Sequence, residues 1–217
     1  KEALKMSDAH YVRRIYNGSN RSKPFGFASF LHEPVFHDTH IVLKKFSITF
    51  SSGDHEFLLH LMNGMRNIVE FQYKNSSWYK EKIQLIKERP ISSSIVTMKT
   101  QSPLLIENMH GQPLSPHDSD YQEQLNYYAE LVTQNMVGRP LFRPIEIKNF
   151  RMHKTVIKEG NQSWDHSNTR KNHIYFTAYR GYLQLQGHPH DLTVIYQYGI
   201  GRRRSQGFGL LDIVRED

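Results

Sequence analysis

Beyond residue 94 the apolar residues change period in a fixed order, and that order restricts the fold more than any other feature of the chain. Residues 95–100 alternate like a strand with one buried face. Residues 118–136 carry Leu125, Tyr128, Ala129, Leu131 and Val132 on a helical face, and residues 145–157 and 173–185 read as long strands. A polar hairpin loop over residues 159–171 joins those two strands. A short helix or turn over 192–198 and a last strand over 210–214 complete the series. Strand, helix, strand, strand, helix, strand is the βαββαβ order of a ferredoxin-like unit, the architecture also used by RNA-recognition modules.

The first half repeats the order with its beginning missing. Leu4, Ala9, Val12 and Tyr16 recur at near-helical spacing, and aromatic residues alternate with small ones over 25–30. Residues 40–50 form a second alternating run, and a capping signature at 51–54 precedes the apolar stripe Phe57, Leu58, Leu61, Met62 and Met65. Residues 68–73 and 82–86 read as returning strands, and the polar stretch 88–94, with Pro90, reads as a linker. The expected fold is α+β: tandem ferredoxin-like (RRM-like) domains over residues 1–90 and 91–217. The chain opens inside a helix without Met, so the expectation is that an upstream segment carries the first strand of the N-terminal unit.

Composition narrows the chemistry. The 217 residues include no cysteine, which removes thiol nucleophiles and cysteine metal sites and suits a reducing cytoplasm, the expected location. No apolar run reaches the roughly 18 residues of a membrane span, so no membrane partner is expected. Lys and Arg exceed Asp and Glu by 28 to 21, a formal charge of +7, and 12 Tyr and 12 Phe accompany them. Basic and aromatic surfaces together suit a polyanion with stacking bases.

The most specific segment is GIGRRRSQGFGLLDI, residues 199–213, where Gly199, Gly201, Gly207 and Gly209 surround Arg202, Arg203, Arg204 and Ser205 just before the last strand. Glycine lets a backbone approach a phosphate and aim N–H groups at it, while arginine forks bind its oxygens. The competing reading is a glycine-rich turn with solvated arginines. A nucleotide loop of the Walker kind lacks its Gly-Lys-Ser/Thr here, and a dinucleotide fingerprint would open a long helix.

The C-terminal position of this segment and its spacing Gly-x-Gly-x5-Gly-x-Gly resemble the signature of the CRISPR-associated RAMP superfamily, specifically its repeat-RNA endoribonuclease, the Cas6 family. Lys23-Pro24-Phe25-Gly26-Phe27-Ala28 resembles that family's entry into its second strand, and residues 51–65 its Ser-x-Asp-x-x-Phe helix region. The resemblance implies tandem ferredoxin-like folds and metal-independent cutting of the CRISPR precursor transcript, with no cofactor. The ribose 2′-hydroxyl attacks the phosphorus, leaving a 2′,3′-cyclic phosphate. CRISPR repeat RNA or pre-crRNA is then the partner, with other effector subunits or a second copy of the chain as further ones.

In the family the catalytic histidine lies at the end of the first helix before the Lys-Pro-Phe strand, which points to His10. Histidine suits proton transfer near neutral pH, and cations suit the charge of a phosphorane. Lys23 is the matching stabiliser, with Arg13, Arg14 and Arg21 nearby, and Tyr11 or Tyr16 positions the phosphate. Arg139, Arg143, Arg170 and Lys171 are further contacts to RNA or a solvated face. The His188, His190 and Asp191 group is read as a turn rather than a zinc site, and His55 and His60 as solvent-exposed. Two other readings share these features: a non-catalytic RAMP-type subunit that holds guide RNA in an effector complex, and a basic protein without an RNA partner.

Overall fold

The computed structural model describes residues 1–17, 22–37, 40–73, 76–160 and 173–217. Its elements, in chain order, are α1 (Glu2–Ser7), α2 (Ala9–Tyr16), β1 (Gly26–His32), β2 (Val35–Phe36), β3 (Ile41–Val42), β4 (Lys45–Ser51), α3 (His55–Asn67), β5 (Glu70–Tyr73) and β6 (Ser76–Tyr79). There follow β7 (Ile95–Thr100), α4 (Tyr121–Val137), β8 (Glu146–Gly160), β9 (His173–Gln186), α5 (Pro189–Tyr198), a single 3-10 turn (Arg204–Gln206) and β10 (Leu211–Glu216). Packing groups them into two compact units: Lys1–Pro24 with Ser52–Pro90, and Phe25–Ser51 with Ile91–Asp217.

The second unit carries the ferredoxin-like sheet, antiparallel in the order β10-β7-β9-β8. Its pleat turns Val96, Met98, Leu183, Leu185, Leu211 and Ile213 to one face, where Leu125 and Ala129 of α4 and Leu192 and Ile195 of α5 close one core. In the same unit β1 pairs with β4 from Gly26↔Ser51 to His32↔Lys45. The start of this hairpin reaches the end of α5. A Cβ at Gly26 would lie 3.0 Å from the Tyr198 carbonyl oxygen.

One charged group is locked into the base of α5. Asp191 is 0 % exposed, and its carboxylate takes the Arg139 guanidinium at 2.6 Å and the Phe142 N–H at 2.9 Å. Removing one partner of such a pair strands the other charge, so Arg139→Ala is expected to lower the unfolding free energy by about 3 kcal/mol. Urea titration followed by circular dichroism checks this, and a midpoint equal to that of the unmodified chain would overturn it.

In the first unit the helix expected over residues 4–16 is two helices. Asp8 sits between them in extended geometry (φ −157°, ψ 110°), and its carboxylate accepts the His10 and Tyr11 N–H groups at 2.7 and 3.0 Å. A short acidic side chain that bonds its own backbone competes with the helix ladder and starts a new helix instead. Those bonds, Tyr11's first, hold the Asp8 carboxyl below its usual range. The strand expected over 82–86 is absent: these residues are exposed and lie outside any ladder. β5 pairs instead with the nearer β6, from Glu70↔Tyr79 to Tyr73↔Ser76, because a short closure costs less chain entropy than a longer one. The run expected over 40–50 is likewise divided, into β3 and β4.

Candidate functional site

The glycine-rich segment leaves the C-terminus of α5 and folds back on itself. Gly199, Gly201, Gly207 and Gly209 all have positive φ, between 69° and 91°, and Arg203 joins them at 60°. The Ile200 N–H donates to the Gly209 carbonyl at 2.9 Å, closing the base of the loop. The Gly209 and Arg202 N–H groups donate to the carbonyls of Pro103 and Leu105, both at 2.8 Å, and the Leu210 N–H to Ser102 Oγ at 2.9 Å. Glycine is needed here because backbone meets backbone: a Cβ at Gly209 would stand 1.8 Å from the Ile200 oxygen, and one at Gly201 2.6 Å from that of Leu105. Several amides that the sequence reading aimed at a phosphate therefore hold the loop to itself and to residues 102–105. Among the described residues, the N–H groups of Gly201 and Arg203 have no protein acceptor.

The three arginines have different surroundings. Arg202 is exposed, with Nε 3.0 Å from the Glu107 carboxylate. Arg203 lays its guanidinium over the Phe176 ring at 4.1 Å and reaches Gln206 Oε1 at 2.5 Å and Glu159 at 3.8 Å. Arg204 is only 8 % exposed and donates to the Tyr198 carbonyl at 2.6 Å, capping the end of α5; burial lowers its pKa to about 10. Ser205 is partly exposed beside it. Two of the three guanidinium groups are thus at the surface.

In the first unit, α2 carries the residues picked for chemistry. His10 is exposed at its start, and Arg13 is exposed further along. Tyr11 is 2 % exposed, its ring stacked on His60 at 4.3 Å with the Arg14 guanidinium over it at 4.9 Å. Arg14 in turn pairs with Glu56. Burial, with Asp54 and Glu56 adding to it, pushes the Tyr11 hydroxyl well above its usual range. At the far end of α2, Lys23 Nζ lies 4.7 Å from the Tyr16 ring centroid and donates to the Ile15 carbonyl at 2.8 Å. Burial lowers the Lys23 pKa and raises that of Tyr16.

The structure therefore brings Tyr16 and Lys23 together, while His10 is six residues earlier, about 9 Å of helical rise away. Arg21, Arg170 and Lys171 lie outside the described residues. The expectation that His60 merely faces water is corrected: its Nδ1 is 3.0 Å from Ser7 Oγ and its side chain is mostly covered. The i, i+4 spacing of Glu56 and His60 was the available signal. Arg143 donates to the Gly187 carbonyl at 2.6 Å, so it and Arg139 both serve the fold. Among the described residues, no group of three or more His, Asp or Glu side chains is placed to hold a metal ion, and no helix is long and apolar enough to cross a membrane.

A ferredoxin-like unit whose last strand follows an arginine-bearing glycine loop is the architecture expected of the RAMP class, and the comparisons with known proteins agree. Residues 86–213 match the family model described as CRISPR associated protein Cas6, C-terminal; the chain belongs to the Cas6 family. No curated protein matches it. Among solved structures it is similar to a Cas6-related protein from Pyrococcus furiosus, at 16% identity and a TM-score of 0.76, covering 100% of this chain and 88% of that one. It is also similar to a RAMP protein binding different RNA substrates, at 16% identity and a TM-score of 0.73 over 99% of this chain and 89% of the other. A third, a CRISPR associated protein Cas6, shares 20% identity at a TM-score of 0.65, covering 99% and 87%. At these identities the likeness is one of fold, the tandem ferredoxin-like α+β fold.

Proposed function

We propose that this chain is an endoribonuclease that cuts CRISPR repeat RNA to mature crRNA without a metal ion. The observation that carries the reading is the glycine-rich loop of a Cas6-family C-terminal unit, with acceptor-free N–H groups beside two surface guanidiniums. Such a loop suits a phosphodiester backbone, for which amide and guanidinium donors act together. Arg202 and Arg203 then hold phosphate, and the buried Arg204 keeps the loop on α5.

For the chemical step, His10 accepts the proton of the ribose 2′-hydroxyl as its oxygen attacks the adjacent phosphorus. The P–O5′ bond breaks, the 5′-oxygen takes up a proton, and a 2′,3′-cyclic phosphate remains. Lys23, beside Tyr16, neutralises charge on the phosphorane oxygens. Tyr11 supports α2 through its buried ring, and Arg13 and Arg14 flank the helix.

Incubating the cognate repeat RNA with the protein in EDTA is the test. One cut ending in a 2′,3′-cyclic phosphate is expected, and a 2′-deoxy substitution just upstream of the cut should abolish it. Tight binding with no cut in any condition would replace this reading with that of a subunit that holds guide RNA.

A further inference from the structure

The face of the ferredoxin-like sheet opposite its helices is covered at one end, where Leu105 and Phe208 pack on Phe176 and Ala178, and open at the other, where cations surround one aromatic ring. Tyr182 lies near the middle of β9, a central strand, and is 47 % exposed. It is flanked across the ladders by Lys99 of β7 and Arg151 of β8. Two residues along β9, Arg180 sits opposite His153. Because strand side chains alternate, the five share one face, opposite Leu183 and Leu185 of the core.

The charges there are poorly compensated from within. Lys99 has Asp212 at 3.9 Å. Arg151 and Arg180 have no acidic partner among the described residues, and nothing stacks on the Tyr182 ring. Arg180 is half-buried, which disfavours its charge and holds its pKa below the usual value. A desolvated guanidinium with no carboxylate nearby is stabilised by an anion from outside. The acidic groups lower on this face, Asp212 and Asp217, are engaged with Gln101 and with Thr97 and Gln184.

We propose that this open face is a second RNA site, in which an unpaired base stacks on Tyr182 while Arg151, Arg180 and Lys99 hold the adjoining phosphates. An aromatic ring on a central strand of a four-stranded sheet, surrounded by cations, is the arrangement that accepts single-stranded bases without reading their sequence. The site rests on the RNA-binding reading and extends it from the loop to the sheet.

The experiment is fluorescence anisotropy of a 5′-labelled 12-nucleotide oligouridylate with the full chain, over a salt series. Tyr182→Ala should weaken binding about tenfold while Tyr182→Phe keeps it, since the ring and not the hydroxyl is used. Arg151→Ala should flatten the salt dependence by about one unit of log–log slope. Irradiation of a 5-iodouridine version should crosslink the peptide containing Tyr182. If Tyr182→Ala binds as the unmodified chain does while the Arg202→Ala, Arg203→Ala double variant is weakened, the sheet site is wrong and the loop reading stands. If the unmodified chain does not bind at low salt, both fall. A melting temperature held by Tyr182→Phe and lost by Tyr182→Ala would trace the weakening to folding and overturn the site unless the crosslink forms.

Discussion

His10→Ala is expected to slow cleavage of the cognate repeat at least a hundredfold while leaving its affinity within about twofold, since a positioned general base contributes roughly that factor or more. The surroundings of the residue make the measurement clean. Its backbone N–H bonds to Asp8, a contact that alanine keeps, and its imidazole is exposed. Folding therefore asks little of the side chain, and a lost rate reports chemistry. Single-turnover kinetics at saturating protein separates the rate from binding. Cleavage within threefold of the unmodified chain would remove His10 from the mechanism and turn attention to Tyr16 and Lys23, which α2 and the chain after it bring together. Lys23 is a less clean target, because its ammonium also holds the Ile15 carbonyl.

Gly209→Ala is expected to cost about 3 kcal/mol or more of stability. At φ 69° a side chain is strained in itself, and the new Cβ would stand 1.8 Å from the carbonyl oxygen of Ile200, the residue whose N–H closes the loop. Backbone cannot rotate aside as a side-chain tip can, so either the Ile200 to Gly209 hydrogen bond or the contact with Pro103 must open. Gly111→Ala is the control. Its φ of 74° carries similar intrinsic strain, but nothing lies within 4 Å of the added carbon, so about 1 kcal/mol is expected. Equal losses in the two variants by urea unfolding would show that the close approach at Gly209 carries no weight.

The second half was legible because each period in the sequence matches one element. Residues expected as strand over 95–100 are β7, and the chain order of strands and helices fixes the sheet once antiparallel pairing is allowed. The first half was harder. The apolar spacing of Leu4 to Tyr16 is continuous, and only the capping bonds of Asp8 divide it. The strand expected over 82–86 has the right alternation but loses to a nearer partner.

Within the glycine loop, composition located the segment but did not separate its three arginines. Nothing in the letters of Arg202, Arg203 and Arg204 tells which is buried; the left-handed turn at Arg203 decides it by directing the next side chain inward to Tyr198. His60 was likewise read as solvated because the Tyr11 ring that covers it comes from a different helix.

The reach of β1 has a practical side. Its first residues abut α5 and the glycine loop: Gly26 faces the Tyr198 carbonyl, and a Cβ at Gly207 would meet the Phe27 ring at 3.2 Å. A truncated fragment beginning after the polar stretch at 88–94 would discard both neighbours and bare the underside of the loop. Boundaries for isolating the second unit are better drawn to retain residues 25–51, joined by a graft or supplied as a separate peptide.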